Sequence, residues 1–250
     1  MYTLLRCFAF SLFCFLFLPS FPSNPPTRSL SKEILECIEP ALVMHLTRAY
    51  EALAQGRAKE AEIHARLASV PETLRVEFSF TGVDPAREEE LKNWARTALE
   101  DWNEAQNVTR FRESLPGESS NIVICFYDYG MGRNIAGSIF WNRRVWKNSL
   151  GMQMELSAEI RITNRRPSGS LMDESQIRHT IQHELGHLLG LREGITPMMG
   201  GIPIHSSKVK VGFKETNAME EFQAHVDSFL SSIPRTTQRK VPTVFRFVEP

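Results

Sequence analysis

His183, Glu184 and His187 fall within five consecutive residues, and their types and spacing specify a reaction. On an α-helix, residues four apart share a face about 6 Å apart along the axis, so the two imidazoles can converge on one metal ion. Glu184 is turned about 100° around the axis from His183, close enough to reach a water at that ion without becoming a ligand. Zinc suits this spacing: it lowers the pKa of its bound water towards neutrality and polarises a carbonyl, while the glutamate passes a proton to the leaving amine. Hydrolysis of a peptide bond is the natural reaction of such a set.

A catalytic zinc takes a third protein ligand. Continuing the helix would carry residue 193 about 15 Å along the axis from His183, out of reach. Gly190 is suited to the left-handed conformation that ends a helix, after which residues 191–194 can fold back and present Glu193. Glu193 is therefore ranked first as third ligand, followed by His205 and then by Glu220 or Glu221 on the last predicted helix. His179 also precedes His183 by four residues, but it stands about 12 Å along the axis from His187, and packing is its expected role. Shuffling this composition would produce His-Glu-x-x-His in roughly one case in fifty, and Gly190 as well in roughly one in a thousand, so the longer match carries the specificity.

The pattern His183-Glu184-x-x-His187-x-x-Gly190-x-x-Glu193 resembles the extended zinc motif of the metzincin metallopeptidases, especially the matrixin-like members. The resemblance covers residues 75–230. Where the family usually has His, and in some members Asp, this chain has Glu193, whose carboxylate lowers the positive charge of the site. The resemblance implies an α+β catalytic domain with a twisted, mostly parallel sheet and a cleft underlined by the motif helix. It implies that Met198 or Met199 is the Met-turn residue, packed beneath the ligands without binding the metal. It also implies that residues 135–141, with Gly137, Ser138, Ile139 and Phe140, form an edge strand along which an extended peptide or protein substrate pairs its backbone. Some matrixins carry an inhibitory cysteine in a propeptide, but Glu36-Cys37-Ile38 lacks that motif.

The elements that must position these residues can be read from periodicity. Residues 75–80 alternate as a strand, and Asp84-Pro85 opens a long helix to about Gln106, with Leu91, Trp94, Ala95, Ala98, Leu99 and Trp102 on one face. Residues 121–127, 135–141 and 157–163 read as three further strands. Asp173 and Glu174 start the motif helix, which Ile177, Ile181, Leu185 and Leu188 continue towards Gly190. A loop with Pro197, Gly200, Gly201 and Pro203 leads to a last helix over residues 216–230.

Four regions result. Residues 1–26 read as a signal peptide or an uncleaved anchor, because residues 4–18 are almost wholly apolar before Pro19, Pro22, Pro25 and Pro26. Residues 27–72 form a helical extension, read either as a structural addition packed on the core or as a propeptide that covers the site until cleaved. Residues 73–232 form the catalytic domain, and residues 233–250 a proline-punctuated tail without a readable role. Export is expected, with Cys37 and Cys125 left after leader removal to pair or to stay buried thiols. Asn107-Val108-Thr109 fits a glycosylation acceptor and receives no function. Lys plus Arg and Asp plus Glu balance at 29 each, so no net field draws nucleic acid or an acidic membrane. The competing reading is a catalytically inactive groove of the same fold that binds peptide around a structural zinc. An intact Glu184 argues against it, since a structural site has no use for a base.

Overall fold

Thr73–Thr81 alternates Leu74 and Val76, both buried, with exposed or half-buried neighbours, and forms β1. The computed structural model of the protein describes residues 30–129, 135–201 and 210–233, together with the backbone of Phe245–Val248. The expected leader and His205 lie outside the described residues, among which no helix is long and apolar enough to cross a membrane.

The other strands are β2 (Arg110–Glu113), β3 (Ile122–Tyr127), β4 (Gly137–Asn148), β5 (Gly151–Thr163) and β6 (Phe245–Val248). They form one sheet in the order β2-β1-β3-β5-β4-β6. β1 runs parallel to β2 and β3, and β3 parallel to β5, whereas β4 is antiparallel to both β5 and β6. The mixed α/β architecture with a mostly parallel sheet agrees with the α+β expectation. Two features depart from it. β4 and β5 run well beyond the expected 135–141 and 157–163 as a long hairpin, Asn148 pairing with Gly151 across its turn. The tail that carried no readable role supplies β6, so β4 is not outermost along its whole length: β6 covers Asn142–Val145.

The helices are α1 (Lys32–Cys37), α2 (Pro40–Ala54), α3 (Ala58–Ala68), α4 (Pro85–Ala105), α5 (Glu174–Leu188) and α6 (Phe213–Ser232). α5 begins at a capping box, the Asp173 side chain accepting from Gln176 N while Gln176 Oε1 accepts from Asp173 N. α4 grips it along its length. Trp102 Nε1 donates to the Gln182 carbonyl at 3.0 Å, and Asp101 accepts from Arg178 and Gln182 at 2.7 and 2.6 Å. Ile34, Ile38, Leu42 and Leu46 of the N-terminal segment, Ile177, Ile181 and Leu185 of α5, and Ala218, Met219 and Phe222 of α6 share one buried cluster. Each fully buried aliphatic side chain contributes about 1.5–3 kcal/mol, so the N-terminal helices are joined to the main core by substantial apolar packing.

α3 and α5 meet the same face of β4. Ile63 and Leu67 of α3 pack against Val145, while Gly137 of β4 lies against Thr180 and Glu184 of α5. Arg143, 1% exposed, projects from between these contacts and donates to the carbonyls of Leu67, Ser69 and Leu188. One guanidinium thus satisfies carbonyls at the C-terminal ends of both helices, groups that a helix leaves without an internal partner.

Candidate metal centre

Gly190 decides where the third expected ligand goes. Its N–H donates to the His187 carbonyl and the Leu191 N–H to the Gly186 carbonyl, both at 2.9 Å, while Gly190 itself takes φ 94°. This pair of bonds closes α5 with a left-handed residue and reverses the chain at the level of His187. A methyl group at Gly190 would also run into Leu42 of α2. Gly190→Ala is therefore expected to destabilise the fold by about 1–3 kcal/mol through backbone strain, with overpacking against Leu42 adding to it. Urea denaturation with an unchanged slope and a lowered midpoint is the result to look for; an unchanged midpoint would contradict it.

The turn brings Glu193 back over α5. Glu193 Oε2 lies 3.1 Å from His183 Nε2 and 3.0 Å from His187 Nε2, and the two Nε2 atoms are 3.2 Å apart. Tetrahedral coordination at zinc-to-ligand bonds near 2 Å puts neighbouring donor atoms about 3.3 Å apart, so the triangle has the size that zinc requires. Tautomers follow from the other ring nitrogens. His183 Nδ1 faces the Met198 carbonyl at 3.1 Å and His187 Nδ1 the Leu191 carbonyl at 2.9 Å. A carbonyl only accepts, so each Nδ1 carries a hydrogen, and each ring in its neutral, metal-binding form turns its Nε2 lone pair to the centre. With both rings neutral, three electron-pair donors face one another, and a proton or a metal cation between them removes their repulsion. Among the described residues this is the one group of His, Cys, Asp or Glu side chains arranged to hold a metal ion.

The remaining expectations divide. His179 joins no such group; it is 2% exposed and its Nε2 lies 3.4 Å from the Gly200 carbonyl. Glu220 accepts from the Asn107 backbone and Glu221 from Asn217, so neither helix glutamate reaches the centre. Cys37 and Cys125 are both buried and free. Burial raises both thiol pKa values, which disfavours the thiolate that a metal would need. Met198 and Met199 are both fully buried but act differently. Met198 offers its carbonyl to His183, whereas the Met199 sulfur fills the space that Gly186 leaves open between the two histidines on α5. Gly137, Ser138, Ile139 and Phe140 pair with β5 on one side, and no described strand pairs with them on the other.

Family models match no part of the chain, and no curated protein emerges as its relative. The chemistry of the centre has to be read from its own atoms.

Glu184 is 6% exposed and does not belong to the donor triangle. Burial pushes its carboxyl up to about 7, the charge on His187 opposing the shift and that on Glu193 adding to it. A carboxyl placed there can both take and return a proton near neutral pH. Burial lowers the pKa of His183, reinforced by charge on His187. Burial also disfavours the His187 cation, but Glu39, Glu184, the Leu191 carbonyl and Glu193 outweigh it and raise that imidazole to about 9.

A pH dependence follows for metal uptake. A metal binds the neutral imidazole, so below about pH 9 the incoming ion must displace the His187 proton, while His183 has already lost its own. Metal affinity is therefore expected to climb about tenfold per pH unit from neutrality and to level off near pH 9. Chelator competition across that range checks it, and a flat profile would count against the His187 assignment.

Proposed function

We propose that this protein is a zinc-dependent endopeptidase of metzincin-like organisation, in which His183, His187 and Glu193 hold the metal and Glu184 handles the proton. The observation that carries this reading is the convergence of three lone-pair donors beside a buried carboxyl that takes no part in holding the ion. Zinc bound there would acidify a water and polarise the carbonyl of a peptide bond. Glu184 takes the proton of the attacking water on its carboxylate and returns it to the departing amine nitrogen, and the ring hydrogen bonds to Met198 and Leu191 keep both imidazoles aimed.

β4 offers the substrate its place. The open edge of Gly137–Phe140 can pair with an extended peptide backbone, and Gly137 brings that edge against Glu184. A methyl group at Gly137 would lie 2.6 Å from Glu184 Oε1 and 2.5 Å from Thr180 Cγ2. Gly137→Ala should consequently displace the carboxyl and reduce hydrolysis by about tenfold or more at unchanged zinc content, since catalysis tolerates little misplacement. Full activity in that variant would remove Gly137 from the argument.

The reading as a whole is tested by metal analysis and casein hydrolysis on the purified protein. Stoichiometric zinc and cleavage that stops with a chelator and returns with zinc are expected. Stoichiometric zinc without cleavage of any of a broad set of unfolded proteins would overturn the peptidase, and absence of zinc uptake would overturn the site.

A further inference from the structure

A further carboxylate reaches the metal centre from the N-terminal helices. Glu39 is the residue at the N-cap of α2, where a side chain ordinarily accepts from the first N–H groups of its own helix. It makes no such bond. Its Oε1 instead lies 3.4 Å from His187 Nδ1, on the side of the ring away from the donor triangle, and its side chain is 23% exposed.

The backbone on both sides holds this arrangement. Glu39 N donates to the Gly190 carbonyl at 2.8 Å and Arg192 N to the Cys37 carbonyl at 2.9 Å. Between these two bonds, Ile38 and Leu191 form an antiparallel bridge. The turn that returns Glu193 to the histidines is therefore paired with the residues that present Glu39. Leu42 closes over Gly190 from the first turn of α2. Arg143 fixes the far ends, joining carbonyls at the C-terminal end of α3 to the last turn of α5.

We propose that Glu39 is a positioning residue of the metal centre, which makes the N-terminal helices a working part of the site. The inference rests on the zinc reading of His183, His187 and Glu193. His187 Nδ1 gives its hydrogen to the Leu191 carbonyl at 2.9 Å, and the Glu39 carboxylate stands 3.4 Å from the same nitrogen, so both groups hold the ring with Nε2 directed inwards. A carboxylate at the distal N–H of a ligating imidazole strengthens it as a donor and stops its rotation. A segment that merely covered the site until cleavage would have no reason to supply this group.

The test uses the full chain as wild type, Glu39→Gln and Glu39→Ala, with zinc affinity measured by chelator competition and Co(II) visible absorption as a probe of ligand geometry. Zinc binding is expected to weaken by about 10–100-fold in both variants, with an altered cobalt spectrum and, for Glu39→Gln, an unchanged unfolding midpoint without metal. Zinc affinity within about threefold of wild type and an unaltered cobalt spectrum would overturn the proposal while leaving the zinc site intact. A loss of affinity matched by an equal loss of metal-free stability would overturn it in favour of packing. A wild type that binds no zinc would overturn the zinc site itself, and this proposal with it.

Discussion

Glu184→Gln is expected to lower peptide hydrolysis by about 10²–10⁴-fold while the protein keeps its zinc and its fold. The amide has nearly the shape of the carboxyl it replaces, so it fits the space left by Gly137 and Thr180. It cannot take a proton from water. The folded protein already drives this side chain towards its neutral form, up to about 7, because burial penalises the charge. A neutral amide consequently loses little folding energy, and stability at neutral pH should stay near that of wild type. Zinc should stay because the triangle consists of His183, His187 and Glu193 without it. Hydrolysis and metal content measured on the same preparation separate the possibilities. A variant that keeps more than about a tenth of the activity would remove Glu184 as the base, and one that loses zinc would make it a ligand.

The motif was legible because its information is local. His183 and His187 share a helix face through spacing alone, Asp173 caps that helix through its side chain, and Gly190 ends it through a backbone conformation that glycine adopts without strain. The same holds for α4, whose periodicity and Asp84-Pro85 start are local signals. The β4–β5 hairpin was legible only in part. Arg143 occupies an inward position where alternation calls for an apolar residue, and its burial is made tolerable by carbonyls of two helices that sequence cannot place beside it. β2 and β6 are four residues each, too short for periodicity to register.

Glu39 shows the same limit at the site. Nothing in the sequence singles out Glu39, because its contact with His187 is a product of tertiary pairing between the segments around Ile38 and Leu191. The two methionines could not be ranked either. Both are buried, and what distinguishes them is that one acts through its carbonyl and the other through its sulfur, a difference set by loop geometry. That loop closes on itself through Gly194 N donating to the Met199 carbonyl at 2.6 Å.

Glu193→Ala is expected to weaken zinc binding by more than about a hundredfold, beyond the range that loss of an outer partner produces, because a direct donor is removed. Its Oε2 is one corner of the triangle, and two imidazoles alone leave the ion with fewer protein ligands than a catalytic zinc takes. The Glu193 side chain is 63% exposed, so its loss should leave the metal-free fold nearly unchanged. Stability should diverge only when zinc is added. At free zinc a hundred times its dissociation constant, wild type gains about 2.7 kcal/mol, whereas a hundredfold weaker variant gains about 0.4 kcal/mol. Thermal unfolding with and without zinc therefore reads the ligand directly, independently of any peptide substrate. His205→Ala is the control from the sequence ranking: zinc stabilisation kept in Glu193→Ala but lost in His205→Ala would transfer the third position to His205. The separation of the Glu193 and His187 donor atoms, 3.0 Å, favours the opposite result, with stabilisation lost when the carboxylate goes.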